Sequence, residues 1–174
     1  IDEKTANKIY DEMTDFAKYA FNKSHAAAYA VVSYQTAWLK YYYPVEYMAA
    51  LMTSVIDNPG KVAEYIYSCR QMGIKILPPD INHGYSSFSV DNGSIRYGLA
   101  AIKSIGRPVI KEIVAERKAN GEFKNLKDFI ERMSGKDINK RTIENFIKSG
   151  AFDELGGTRK QFMVIYVQIL DQVN

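Results

Sequence analysis

Two short strings in this 174-residue sequence carry residue types suited to holding an anion. The first is Lys103-Ser104-Ile105-Gly106-Arg107, followed by Pro108 and, one helical turn past Arg107, by Lys111. Gly106 lets the backbone approach a ligand with no Cβ in the way. Pro108 opens a helix whose first amides lack an intrahelical acceptor and carry partial positive charge. A phosphate oxygen suits that point; Lys103, Arg107 and Lys111 add Coulomb attraction, and Ile105, turned inward, anchors the turn to its own helices. The second string is Asn22-Lys23-Ser24-His25. A lysine beside hydroxyl and imidazole groups at a helix start can bind phosphate oxygens; equally, Asn22 and Ser24 can simply cap the helix while His25 packs on Tyr29.

Other chemistries find little support. His25 and His83 are far apart, Cys69 is the single cysteine, and no ligand spacing for a metal is present. Asp2, Glu3, Asp11, Glu12 and Asp15 alternate with lysines at helical spacing and read as a solvated face. The net charge of +3 is unevenly spread: residues 1 to 95 hold 8 Lys/Arg against 10 Asp/Glu, and residues 96 to 160 hold 15 against 9. Such a basic segment suits a polyanion or a solvated lysine-rich face. The longest apolar stretch, Ala26 to Val32, is far short of the roughly 20 residues that span a bilayer. No membrane partner is expected, and the lone cysteine and charged start suggest a cytoplasmic address. The opening Ile1, in place of Met, suggests a piece of a longer polypeptide.

The elements that position these strings follow from periodicity. Ile9, Met13, Phe16 and Ala20 predict a helix over 2 to 19. A second, apolar around most of its circumference and therefore expected to be central, begins after Asn22 or Ser24, either of which can cap it, and runs to about Tyr42. Pro44 opens a third, with Val45, Met48, Ala49, Met52 and Val55 as its stripe. Asn58-Pro59-Gly60 starts a fourth, which Gly73 closes. Ile74 to Leu77 is a short strand, and Asn92-Gly93 sets a tight turn in a β-hairpin over 86 to 98. Helices over 99 to 103, 108 to 118, 126 to 133 and 139 to 148 form two tandem pairs. A last helix from Thr158 is expected to stand apart from its neighbours.

The string Leu99-Ala100-Ala101-Ile102-Lys103-Ser104-Ile105-Gly106-Arg107-Pro108-Val109-Ile110 resembles the helix-hairpin-helix motif, which grips the DNA backbone without reading bases. The second pair, Phe129 to Arg141, lacks the apolar-Gly step and resembles a degenerate partner that completes the core, with Lys140 and Arg141 as secondary candidates for DNA contact.

Phe21-Asn22-Lys23-Ser24-His25-Ala26-Ala27-Ala28-Tyr29-Ala30, Ser33-Tyr34-Gln35-Thr36 and Trp38-Leu39-Lys40 resemble the fingers of the C-family bacterial DNA polymerases. The similarity continues through Tyr43-Pro44-Val45-Glu46-Tyr47-Met48-Ala49-Ala50, Leu77-Pro78-Pro79-Asp80-Ile81-Asn82, Ile95-Arg96-Tyr97-Gly98-Leu99 and Lys148-Ser149-Gly150-Ala151-Phe152-Asp153. It implies a mainly α fold with a small β-hairpin insert: helical fingers over 1–80, a β connection over 81–98, a tandem helix-hairpin-helix module over 99–156, and the start of a further segment over 157–174. Asn22, Lys23, Ser24 and His25 would then lie nearest the incoming deoxynucleoside triphosphate. The family's chemistry resembles two-metal phosphoryl transfer, with Mg2+ held by palm carboxylates that have no counterpart in this sequence. No catalytic residue and no cofactor is therefore assigned to this stretch. The implied partners are primer-template DNA, the nucleotide, the remaining polymerase domains and replication holoenzyme subunits. The alternative is an interaction or scaffold module, in which Tyr29, Tyr34, Tyr41, Tyr42 and Tyr43, among thirteen tyrosines, pack on other polymerase domains.

Overall fold

The computed structural model describes residues 1–19, 23–136 and 138–173. They fall into two compact units, Ile1–Tyr43 and Pro44–Asn174.

The first unit holds α1 (Glu3–Tyr19) and α2 (Lys23–Tyr42). Asp2 caps α1: its carboxylate accepts from Thr5 N at 2.8 Å and Thr5 Oγ1 at 2.9 Å, which holds the Asp2 carboxyl below its ordinary range. Two acidic residues of α1 pair with lysines on an exposed face, Asp15 with Lys18 at 2.9 Å and Glu12 with Lys8 at 3.9 Å. The apolar circumference of α2 predicts a buried, central helix, but none of its described residues is buried. Tyr29, Tyr34 and Tyr41 are 60%, 69% and 78% exposed. A unit of two helices has too few facing side chains to cover an all-round apolar helix. Its aromatic rings instead shelter one another: Trp38 and Tyr42 have centroids 4.8 Å apart, and His25 and Tyr29 4.4 Å.

In the second unit α3 (Pro44–Ser54), α4 (Pro59–Gln71), β1 (Ile76–Leu77), β2 (Ser89–Asp91) and β3 (Ser94–Arg96) come first. A single 3-10 turn (Leu99–Ala101) leads into α5 (Arg107–Asn120), α6 (Leu126–Met133), α7 (Lys140–Ser149), another 3-10 turn (Asp153–Leu155) and α8 (Arg159–Val173). Asn side chains cap three of these helices: Asn58 accepts from Lys61 N, Asn125 from Asp128 N and Asn139 from Thr142 N, at 2.9–3.1 Å. The sheet order is β1-β3-β2, with β1 parallel and β2 antiparallel to β3. Asn92 (φ 49°) and Gly93 (φ 76°) form the tight turn that their types predict. Arg96 locks the hairpin, donating to Asp91 Oδ2 at 2.7 Å and to Pro78 O at 3.2 Å.

Two cores form. Met48, Met52, Val62, Cys69, Phe88 and Ile95 join α3 and α4 to the sheet. The larger one gathers Ile81, Leu99, Ile110, Ile113, Phe129, Phe146 and Phe152. Contrary to the expectation that the last helix stands apart, α8 packs on α6 and α7. Its Phe162, Tyr166 and Leu170 are spaced one turn apart and buried in the larger core.

The α5–α6 junction is tied through Glu116, which is 12% exposed and accepts from Arg132 Nε at 3.2 Å and from Lys136. Lys136, Asn120 and Arg132 together hold the Glu116 carboxyl at about 2, against an ordinary 4.5. A depressed carboxyl stabilises the fold above its unfolded value, and that contribution drains away as pH falls from about 4.5 towards 2. Glu116→Gln is expected to cost roughly 1–2 kcal/mol at neutral pH, discounted for the partial exposure of Lys136. Urea titrations from pH 7 to pH 2 check this, since the variant should show a shallower acid-side loss than the parent chain.

Candidate nucleic-acid interface

The turn between the Leu99–Ala101 helix and α5 is closed by Ile105 N donating to Ile102 O at 3.3 Å. Ile102 and Ile105 are both 8% exposed and pin the turn to the larger core. Between and beyond them Lys103, Ser104, Gly106, Arg107 and Lys111 are exposed. The conformational demand sits at another position than the sequence suggests. Gly106 has φ −75° and ψ 141°, open to any residue, whereas Ser104 takes the left-handed φ of 63°. The special property of Gly106 is open space: a Cβ there would meet only Pro108 Cδ, at 3.6 Å.

α5 begins differently from α4, α6 and α7. Gly106 is its N-cap and supplies no side-chain acceptor. Pro108 has no amide hydrogen, so Arg107 N and Val109 N are the first-turn donors; among the described residues they find no acceptor, and they align with the positive end of the helix dipole. Among the described residues, α5 lacks the side-chain acceptor that Asn58, Asn125 and Asn139 supply to their own helices.

The second helical pair contributes more to the turn than its sequence shows. Arg141 donates to Ser104 Oγ at 3.2 Å, and Asn145, one helical turn on, donates to Lys103 O at 3.0 Å. α7 thereby holds the left-handed residue and adds a cation beside it. Lys140 points elsewhere and pairs with Asp171 at 3.0 Å, while the Thr142 amide in the first turn of α7 is taken by the Asn139 side chain. Arg107 pairs with Asp57 at 3.4 Å, both side chains well exposed, so the contact is weak and easily surrendered. Sequence reasoning missed Asn145 and Asp57, whose partners lie 42 and 50 residues away; the one-turn spacing of Arg141 and Asn145 on α7 was the available signal.

The second predicted string is only partly visible: Asn22 lies outside the described residues. Lys23, Ser24 and His25 occupy the exposed first turn of α2, where His25 stacks on Tyr29. Among the described residues, no group of three or more His, Cys, Asp or Glu is arranged to hold a metal ion.

Residues 73–162, about half of the chain, match the family model described as a helix-hairpin-helix motif. The chain belongs to the helix-hairpin-helix family. The matched residues hold the short sheet and the two tandem helical pairs, the first joined by the exposed turn at Ser104. The chain is also homologous to DNA polymerase III subunit alpha over nearly its whole length. It is 51% identical to that protein from Vibrio cholerae and 50% identical to that from Escherichia coli, in each case over 94% of this chain. The Deinococcus radiodurans protein is 48% identical over 90% of it. The chain spans only 12–14% of the length of these relatives. No helix among the described residues is long and apolar enough to cross a membrane.

Proposed function

We propose that this chain grips duplex DNA by its sugar-phosphate backbone, without reading bases, as one part of a replicative DNA polymerase. The observation that carries the reading is the uncapped start of α5, exposed beside Lys103, Ser104, Arg107, Lys111 and Arg141. Free amides at a helix dipole, ringed by cations and with no Cβ at Gly106, suit a phosphate and offer nothing that distinguishes one base from another. Ile105 acts from within, anchoring the turn, and Lys140 is a secondary contact that its pairing with Asp171 keeps in reserve.

Fluorescence anisotropy with a labelled duplex tests this. Four available cations, Lys103, Arg107, Lys111 and Arg141, predict a log–log salt slope of roughly −3 to −4 and the same affinity for unrelated sequences. Salt-independent binding, or none, refutes the reading.

In the same reading Lys23, Ser24 and His25, with Asn22, meet the phosphates of an incoming deoxynucleoside triphosphate in the fingers of the cytoplasmic polymerase. The Mg2+ of polymerisation then belongs to palm carboxylates elsewhere, and this stretch contributes substrate contact and DNA grip without a catalytic residue. The exposed aromatic surface of α2 favours a second, compatible role as a surface that packs on other polymerase domains. An apolar fluorescent dye should bind the isolated chain and be displaced by the polymerase polypeptide lacking these residues; failure of displacement counts against that role.

A further inference from the structure

Beyond the hairpin turn, α5 presents Arg107, Ile110, Lys111 and Val114 along one ridge. Opposite stands the loop of Tyr85, Ser86 and Ser87, and the groove between them encloses about 420 Å³. The loop is rigidly held. Leu99 N donates to Tyr85 O at 2.8 Å, Ala100 N to Ser86 O at 3.1 Å, and Gly84 N to Asp80 O at 2.7 Å. Gly98 comes so near that a Cβ there would lie 2.8–2.9 Å from the backbone of Ser86, Ser87 and Phe88. Behind the loop, the buried Arg117 guanidinium donates to Ile81 O at 2.8 Å and lies over the Tyr85 ring at 4.8 Å.

This anchoring uses the carbonyls of Tyr85 and Ser86. The amides and hydroxyls of Ser86 and Ser87 find no acceptor among the described residues. The groove is thus walled by unspent donors on one side and by Arg107 and Lys111 on the other, and no carboxylate lines it. Hydroxyl and amide donors facing two cations suit a phosphodiester.

We propose that this groove is a second phosphodiester subsite, taking the backbone phosphate next to the one held at the start of α5; the assignment rests on the DNA-gripping reading above. Lys111 lies five residues along α5 from Gly106, about 7.5 Å at 1.5 Å per residue. Successive phosphates of one strand can occupy the two points, Lys111 pairing directly with the second while adding longer-range attraction to the first. Ser86 and Ser87 donate to the phosphate oxygens, Lys111 supplies the counter-charge, and Tyr85 covers the sugar.

The test uses the full chain carrying Ser87→Asp or Ser87→Lys, with Gly106→Asp alongside, and reads anisotropy of a labelled duplex across salt. Ser87 is exposed and makes no side-chain hydrogen bond, so both variants should keep the parent's circular dichroism and melting temperature. Ser87→Asp is expected to weaken binding about fivefold or more. Ser87→Lys is expected to tighten it and steepen the salt slope by about one, as one added phosphate contact requires. If Gly106→Asp weakens binding about tenfold or more while both Ser87 variants bind like the parent, the subsite is refuted and the hairpin reading stands. If none of the three changes binding, the hairpin reading falls and takes the subsite with it.

Discussion

Gly106→Asp is expected to weaken duplex binding about 10- to 100-fold while leaving the melting temperature of the chain unchanged or slightly raised. Gly106 occupies the N-cap of α5 with φ −75° and ψ 141°, the extended conformation in which an aspartate carboxylate accepts from a first-turn amide. A Cβ at this position clears its neighbours, the nearest being Pro108 Cδ at 3.6 Å. The new side chain therefore fits, caps Val109 N and completes the helix dipole, worth a few tenths of a kcal/mol over glycine. The same carboxylate occupies the point proposed for phosphate and adds a negative charge against it. Both effects act on binding alone, and a loss of about 10- to 100-fold, or roughly 1.4–2.8 kcal/mol, is the expected scale.

Gly106→Asn separates the two contributions. Asparagine also caps but carries no charge, so its affinity should fall between glycine and aspartate, and the gap between Asn and Asp should close at high salt. Anisotropy and thermal melts on the same samples decide the matter. Parent-like binding by Gly106→Asp would remove the uncapped helix start from the mechanism.

What the sequence reveals about this site follows from the range of the interactions. Local signals are plainly legible. Asn58, Asn125 and Asn139 mark helix starts, Asn92-Gly93 marks the hairpin, and Ile105 before Gly106 marks a turn, because each acts within three or four residues. Ser104 is harder: its left-handed backbone is sustained by Arg141, 37 residues on, and composition pointed instead to the glycine two positions later. The apolar circumference of α2 predicts a buried helix, yet none of its described residues is buried: period alone records which faces are apolar and not whether anything covers them. For α8 the converse holds: the turn-spaced Phe162, Tyr166 and Leu170 were visible, but their partners on α6 and α7 come from folding. The string Leu77 to Asn82, read through its resemblance, has a structural explanation of its own. Ile81 N donates to Ala151 O, and Asn82 exchanges hydrogen bonds with Phe123 N and O at 2.9 Å each, so the segment laces the sheet to the larger core.

That core supports the interface, and Phe129→Ala is expected to damage both together. Phe129 has no exposed surface and stands at the centre of an aromatic chain, with ring centroids 5.0 Å from Phe123, 4.9 Å from Phe152 and 6.3 Å from Phe146. Emptying that position removes a large buried side chain and three edge-to-face contacts. The expected cost is about 3–5 kcal/mol, a large share of the stability of a domain this size. Phe146 belongs to α7, which also carries Arg141 and Asn145, the two side chains that hold Ser104 and Lys103. Loosening α7 therefore frees the left-handed turn, and duplex affinity should fall even at temperatures where the variant is still folded. Phe129→Leu, which keeps most of the volume, should recover most of the stability and, with it, the affinity. The two glycine and phenylalanine variants thus leave opposite signatures: Gly106→Asp loses binding at full stability, whereas in the Phe129 pair binding tracks stability. Urea unfolding and anisotropy on Phe129→Ala and Phe129→Leu check the coupling, and undiminished affinity in a destabilised Phe129→Ala would show that the turn holds its shape without α7.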